Sequence, residues 1–156
     1  MEEKSGSSYV RNDHLQKSLN TKATARFAQL ITEYYEKVKR PLSILDFCCG
    51  EGEPTFDLFK QLEANKVEIE KVVGYDISEE TLRVAKKQNS GSPKLQFIKK
   101  NLETEFLEVE QYDAVIVLFG LHCMGNLDKA VESIYRSLKP GGLLLSLTPI
   151  EGKELY

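Results

Sequence analysis

The chain has no run of about 20 apolar residues, which is the length that a membrane-spanning helix requires. Its opening residues, MEEKSGSS, lack the apolar segment of a secretory signal peptide. From these two absences we expect a cytoplasmic location and no membrane partner.

Cysteine and histidine are scarce, with three and two residues respectively. Cys48 and Cys49 are adjacent and poorly placed to bridge each other, and no ligand spacing suggests zinc. We therefore expect no metal and reduced thiols, as in the cytosol. Because no cationic residue stands beside Cys123 in the sequence, we interpret it as a small buried apolar residue and not as a nucleophile.

An excess of positive charge is also missing, since 21 basic residues face 24 acidic ones. Residues 1–40 carry eight basic and five acidic side chains, so the acidic excess lies in the rest of the chain. Binding to nucleic acid needs clustered Lys and Arg, and we expect no nucleic-acid partner. The 156 residues, 41% of them hydrophobic, suffice for one domain with its own core.

The apolar pattern predicts helices alternating with short strands. Residues 13–39 have apolar side chains at three-and-four spacing, which indicates a long helix that ends before Pro41. Pro54 suits the first turn of a second helix, because its missing N–H is harmless there. The predicted strands are 43–48, 71–76, 95–100, 112–119 and 143–148.

Polar residues indicate where the other elements begin and end. Ser78 and Asn126 are expected N-caps of two further helices. The sequence KPGG at 139–142 is expected to end the last helix before the fifth strand. Residues 1–8 read as a loose tail, and 101–111 are ambiguous between a helical turn and a loop.

Nearly all-apolar strands that alternate with amphipathic helices predict an α/β fold, a doubly wound and mostly parallel sheet covered on both faces. In such folds, ligands bind at the carboxyl ends of the strands, near the point where the strand order reverses. Candidate functional residues should therefore directly follow the first four strands.

The first strand runs into a glycine bend with acidic neighbours, from Asp46 to Glu53. The dinucleotide pattern G-x-G-x-x-G would need a small residue where Thr55 stands. A pyrophosphate would also meet Glu51 and Glu53, and charges this close repel by kilocalories per mole. The bend therefore favours a ligand whose reactive end is cationic.

Residues after the second and third strands suit an adenosine. Asp76 follows the glycine bend at a spacing that favours hydrogen bonds to two ribose hydroxyls, although by itself it reads equally well as a neighbour of a helix start. Asn101 is placed to contact the adenine edge with Leu102 beside it, or it simply forms a turn. Ile77 either covers an adenine face or belongs to the core.

Together these residues resemble the class I S-adenosylmethionine-dependent methyltransferases, and specifically the members that act on small molecules. The resemblance spans about residues 25–150. The motifs that carry it are LDFCCGEGEP (45–54), GYDIS (74–78), KKNLE (99–103), YDAVIVLFGLH (112–122) and LKPGGLLL (138–145). The predicted cofactor-binding residues are Asp46, Cys48, Gly50, Gly52, Asp76, Ile77, Asn101, Leu102 and Phe119.

The resemblance implies two parts within a single domain. Residues 1–40 would be a tail and a helix that packs over the cofactor site, and 41–156 would be the S-adenosylmethionine-binding core.

The sequence departs from the family pattern in two ways. Cys48 occupies the place of the first loop glycine, and the sequence stops soon after the fifth strand, where the family continues. We expect a fragment of a longer protein, or else a homodimer that pairs the open sheet edge.

The function implied by the resemblance is in-line methyl transfer from S-adenosyl-L-methionine to a small-molecule acceptor. His122 is a candidate general base, with a hydrogen-bonded structural histidine as the alternative. Two other hypotheses remain open, a cofactor-binding or regulatory module without activity and a nicotinamide-dependent oxidoreductase. The latter would have to tolerate a pyrophosphate beside Glu51 and Glu53.

Overall fold

The computed structural model describes residues 13–89 and 91–148, and the predicted tail at 1–8 lies outside them. Helices and strands alternate in the described chain, except that turns and loop alone connect β3 to β4. The helices are α1 Asp13–Val38, α2 Glu53–Ala64, α3 Glu79–Gln88 and α4 Leu127–Ser137, with one turn of 3-10 helix at Leu121–Cys123. The strands are β1 Leu42–Phe47, β2 Ile69–Asp76, β3 Leu95–Lys99, β4 Tyr112–Leu118 and β5 Leu138–Leu147.

The five strands form one sheet in the order β3-β2-β1-β4-β5, and every neighbouring pair is parallel. The predicted doubly wound parallel sheet is thereby confirmed. The strand order reverses between β1 and β4, so their carboxyl ends at Phe47 and Leu118 flank the position where such folds bind ligands.

The sheet is covered on both faces, which explains why its central strands are apolar throughout. All six residues of β1 are buried. One core cluster packs β1 residues such as Ile44 against α1, α2 and α3, and the other packs residues such as Leu45 and Val115 against Ile134 of α4. Burying both faces excludes water from the strands that support the site.

The start of β5 differs from the prediction. We expected 139–142 to end a helix and a strand to begin at 143, but β5 begins at Leu138, directly after α4. Tyr112 pairs with Leu138 and Ala114 with Leu143, so Lys-Pro-Gly-Gly forms a bulge within the edge strand. Gly141, with φ of 78°, supplies the left-handed conformation that the bulge needs.

Helix caps explain two of the helix starts. Ser78 and Asn126 cap α3 and α4 by accepting hydrogen bonds from Thr81 N and Lys129 N, as predicted. The ambiguous segment 101–111 forms turns. In the described part of the chain, no helix has both the length and the apolar character needed to cross a membrane.

Candidate functional site

A cavity of about 850 Å³ lies at the carboxyl edge of the sheet. Its walls include residues that directly follow β1, β2, β3 and β4, together with one side of α1, so a cavity lies where the sequence places the candidate site. Of the predicted cofactor-binding residues, those on the lining are Asp46, Cys48, Gly50, Asp76, Ile77, Asn101, Leu102 and Phe119.

The glycine bend after β1 leaves space for a ligand at Gly50. This residue has φ of 57°, and a Cβ added to it would meet no atom within 4 Å. The two cysteines do not fill that space. Cys49 is buried beside Gly74, while Cys48 lies against Gly120, where an added Cβ would come within 2.9 Å of the Cys48 Cβ. Cys48 itself has φ of 71°, a conformation that favours glycine and explains why that residue type is usual here.

Gly52 serves packing and is absent from the cavity lining. A Cβ at this position would lie 2.7 Å from the Phe97 ring and 3.1 Å from the Cβ of Ala85. With φ of 78°, Gly52 caps α2 in the left-handed conformation. It therefore lets α2 start close to β3 and α3, and the sequence-based prediction that it contacts the cofactor gains no support from its position.

Asp76 points towards the bend and not into bulk water. Its Oδ2 accepts a hydrogen bond from Gly50 N and its Oδ1 accepts one from Ser78 N, both at 3.0 Å. A carboxylate has about four acceptor sites, so roughly two remain for ligand hydroxyls. Asp76 thus orients the glycine bend and still presents acceptor capacity to the cavity.

Asp46 is a carboxyl group with incomplete hydrogen bonding. The residue is 2% exposed, and its Oδ2 accepts a hydrogen bond of 2.5 Å from the hydroxyl of Thr55 on α2. Its Oδ1 has no partner among the described residues. Burial and the nearby Asp76 charge raise the pKa of Asp46 to about 7, against the lowering effect of the Thr55 hydrogen bond.

The predicted adenine contacts all line the cavity. Ile77 is 59% exposed, an apolar side chain held at the cavity wall, whereas Leu102 is buried. Asn101 forms a turn, which was the alternative to an adenine contact, because its Oδ1 accepts a hydrogen bond from Glu103 N. Phe119 has φ of 54°, and its N–H donates to Leu147 O, so the end of β5 holds this residue at the cavity.

His122 is exposed and is not on the cavity lining. Its Nε2 lies 3.4 Å from Cys123 Sγ. The structure does not bring this histidine to the cavity, and its role as a general base stays a prediction without support from geometry. The expectation that Cys123 is buried is wrong, since this residue is exposed and lines the cavity at the last position of the 3-10 turn.

Some residues on the cavity lining were not predicted from the sequence. Gln16, Lys17 and Asn20 of α1 line the cavity, and Lys17 forms an ion pair of 3.3 Å with Glu53 at the start of α2. Lys100 also lines it, and its Nζ lies 4.8 Å from the centre of the Tyr75 ring. No spacing in the sequence shows which side of α1 faces the sheet edge.

Negative charge dominates the cavity. Two lysines face five carboxylates, which are Asp46, Glu51, Glu53, Asp76 and Glu103. Burial and the charges of Asp46 and Asp76 raise the pKa of Cys48 to about 12, so this thiol stays neutral. Within the part of the chain that the structure describes, no group of three or more His, Cys, Asp or Glu side chains is arranged to hold a metal ion.

Comparison with known proteins gives the family. The family model described as "ubiE/COQ5 methyltransferase family" matches residues 7–151. Demethylmenaquinone methyltransferase of Lactococcus lactis is 34% identical over 108 residues, which cover 68% of this chain and 41% of the relative. Ubiquinone/menaquinone biosynthesis C-methyltransferase UbiE of Escherichia coli O1:K1 / APEC is 34% identical over 113 residues, covering 70% of this chain and 43% of the relative.

Among solved structures, the trans-methyltransferase CalH in complex with SAH superposes with a TM-score of 0.67 at 21% identity, over 88% of this chain and 40% of that one. This likeness supports the fold. The chain spans less than half the length of the curated relatives it matches. The match over residues 7–151 nonetheless includes every strand of the sheet and the whole cavity, and the chain therefore belongs to the ubiE/COQ5 methyltransferase family, within the class I methyltransferases that its motifs resemble.

Proposed function

We propose that this chain binds S-adenosyl-L-methionine in the acidic cavity and carries out methyl transfer to a small-molecule acceptor. The observation that supports this most is the unfilled space at Gly50, enclosed by Asp46, Asp76 and the acidic side chains of the bend. S-adenosylmethionine, when bound, supplies an electrophilic methyl group on a sulfonium and so needs no strong base to activate it.

The residues present fit that cofactor. Asp46 offers a buried oxygen that has no partner among the described residues and that a cationic group nearby would stabilise. Gly50 leaves open the space that a Cβ would fill. Asp76 retains acceptor sites for ribose hydroxyls, and Ile77 presents an apolar surface on which an adenine can lie. A dinucleotide fits less well, because its pyrophosphate would face Glu51 and Glu53 without a compensating loop cation.

The protein's contribution to methyl transfer is orientation and exclusion of water. Leu118, Phe119 and Met124 give the cavity apolar lining from the end of β4 and the segment after it, and α1 contributes Asn20 to the lining. Alignment of two reactants in such a site can supply roughly 7–11 kcal/mol of a barrier. By analogy with the relatives, which are named for demethylmenaquinone and ubiquinone biosynthesis, we infer that the acceptor is a quinone-like ring.

The deciding experiment is calorimetric titration with S-adenosylmethionine and S-adenosylhomocysteine, compared between wild type and Asp76→Asn. We expect the substitution to weaken binding by ~1.5–3 kcal/mol, the range for hydrogen bonds to a charged group. Asp128→Asn, an exposed change on α4, is the matched control and should bind as wild type does. Absence of wild-type binding at millimolar ligand would refute the proposal, and unchanged affinity in Asp76→Asn would remove Asp76 from the site.

A second candidate is cofactor binding without turnover by this chain alone. It is favoured by the coverage of less than half of each relative and by the position of His122 outside the cavity. Binding in the titration, together with no product across a panel of quinol, phenol and amine acceptors, would select it.

We further propose a cytoplasmic location and self-association through β5. The first is supported by the three free cysteines, since thiols stay reduced in the cytosol. The second is supported by β5 being a sheet edge with Leu144 42% exposed and by the neighbouring Tyr135 of α4 being 78% exposed. Sedimentation velocity would show a monomer at all concentrations if the second proposal is wrong.

A further inference from the structure

Asp46 and Thr55 form a buried pair at the floor of the cavity. Thr55 is fully buried, and its hydroxyl makes the one hydrogen bond that the structure gives to the Asp46 carboxyl. The second carboxyl oxygen has no partner among residues 13–89 and 91–148. A buried carboxylate with a single hydrogen bond is poorly compensated for the water it has lost.

The charges around Asp46 do not compensate it either. In the described ranges, no Lys, Arg or His forms an ion pair with it. Asp76 repels it, and Cys48 and Cys49 beside it stay neutral because burial, followed by the charges of Asp46 and Asp76, raises the pKa of both thiols. The other charged groups on the cavity are Lys17, Glu51, Glu53, Lys100 and Glu103.

Both cations of the cavity have other neighbours. Lys17 pairs with Glu53, and Lys100 lies over the Tyr75 ring. The described residues therefore provide Asp46 with a hydrogen-bond donor but no counter-charge. A ligand that carries positive charge would supply what these residues lack.

We propose that Thr55 is a positioning residue which, by donating its hydroxyl to Asp46, lets this carboxyl give up its proton to solvent when a cationic ligand enters the cavity. The inference rests on the proposed function, since the cation is the charged end of S-adenosylmethionine. In this step the O–H bond of Asp46 breaks, the proton goes to the buffer, and the carboxylate that remains faces the ligand's charge.

The direction of the pH dependence follows. Burial raises the pKa of Asp46 to about 7, so below this pH the carboxyl is mostly neutral and must lose a proton on binding. Affinity for a cation then rises by up to about tenfold for each pH unit, since one proton is released. About one pH unit above this pKa the carboxyl is almost fully ionised, and the affinity becomes independent of pH.

The test needs ligands that do not titrate themselves, because an α-amino group loses its proton at about pH 8. Decarboxylated S-adenosylmethionine carries a sulfonium and an alkylammonium. An alkylammonium titrates at about 10.4, as lysine does, so this ligand stays charged between pH 5.5 and 8.5. 5′-Methylthioadenosine is its neutral counterpart. The ratio of the two affinities, measured by calorimetry across this range, isolates the response to charge.

We expect this ratio to rise several-fold from pH 6 to pH 8 in wild type and then to level off. Thr55→Val should move the midpoint of this pH dependence to higher pH, because the Asp46 carboxylate loses its hydrogen bond. Thr55→Ser, which keeps the hydroxyl, should have the wild-type midpoint. Asp46→Asn should abolish the dependence. Thr32→Val, which removes a hydroxyl that donates to Ala28 O on α1 outside the cavity, should leave the midpoint unchanged.

Infrared difference spectra provide a readout independent of affinity. At pH 6, binding of the cationic probe should remove a protonated carboxyl band that is absent from Asp46→Asn. A ratio that does not vary with pH, a slope that persists in Asp46→Asn, or a Thr55→Val midpoint equal to that of wild type would each overturn the inference. If neither probe nor S-adenosylhomocysteine binds at any pH, the proposed function fails instead.

Discussion

Replacing Asp113 by asparagine is expected to destabilise the fold without altering the cavity. Asp113 is fully buried near the start of β4, at the opposite end of the sheet from the cavity. Its carboxylate accepts hydrogen bonds from Arg40 Nη2 at 2.7 Å, Ser43 N at 2.9 Å and Lys139 Nζ at 3.1 Å. It thereby links the residues after α1 to β1 and to the bulge of β5.

The size of the destabilisation follows from the hydrogen bonds that asparagine keeps and the charge interactions that it loses. Its carbonyl can still accept from Ser43, but Arg40 and Lys139 lose the charge that they face. Breaking a buried ion pair costs ~3–5 kcal/mol. Because the Arg40 and Lys139 side chains are 43% and 27% exposed and can recover water, we expect the lower end, ~3 kcal/mol. With a urea slope of ~2 kcal/mol per molar, the unfolding midpoint should fall by ~1.5 M.

Urea unfolding followed by circular dichroism is the assay, since the chain contains no tryptophan. Burial acts to raise the pKa of Asp113, but the hydrogen bonds from Arg40, Ser43 and Lys139 outweigh it, and the pKa lies below the usual 3.8. A depressed carboxyl pKa stabilises the folded state above 3.8, and this contribution is lost as the pH falls through the folded value. The difference between wild type and Asp113→Asn should therefore shrink below about pH 3.8.

The reasoning would be refuted by a difference under about 1 kcal/mol at pH 7, which is the size of an ordinary exposed ion pair. A difference that persists undiminished in strong acid would also contradict it, because the charge would then not be the cause. Asp128→Asn, the exposed change on α4, controls for the loss of one negative charge and should shift the midpoint little. Ligand affinity of folded Asp113→Asn should equal that of wild type.

Two further predictions concern the glycine bend and the thiols. Gly50→Ala should lower S-adenosylhomocysteine affinity, because its Cβ enters the open space at the bend, and should cost stability only the left-handed strain, roughly 1–2 kcal/mol. Gly52→Ala should cost more stability, ~2–4 kcal/mol, because contact with Phe97 adds to the same strain. Calorimetry and urea unfolding would show the opposite ranking if the two roles were exchanged. With a disulfide reagent at pH 8, one thiol, Cys123, should react quickly in the native protein and should be protected by bound ligand, whereas two or more fast thiols would contradict the burial and raised pKa of Cys48.

The order of the helices and strands was predictable because each depends on local pattern. Ser78 and Asn126 cap helices through hydrogen bonds to residues three positions away, so short-range spacing is enough to identify them. The apolar run of β1 is legible for a similar reason, since a strand buried on both faces has no polar positions. The bulge at 139–142 was not predictable, because Pro-Gly-Gly also ends helices and only pairing with β4 places it inside a strand.

The features of the candidate site also fall into those that the sequence predicts and those that only the folded chain decides. Asp46 and Asp76 lie at the carboxyl ends of β1 and β2, and Gly50 lies in the bend after β1. The topology of a parallel sheet brings such residues to one edge, so the sequence by itself determined their meeting. The role of Gly52 was decided by Phe97, a residue 45 positions away whose ring approaches it only in the folded sheet.

The side chains of α1 on the lining, the exposure of Cys123 and the distance of His122 from the cavity also depended on tertiary structure. The hydrogen bond from the Thr55 hydroxyl to Asp46 also depended on tertiary structure. In the sequence, Thr55 is notable only because it stands where the dinucleotide pattern needs a small residue. The physical reason is that local pattern selects secondary structure through backbone conformation and burial, whereas the packing of one element on another determines where each side chain lies.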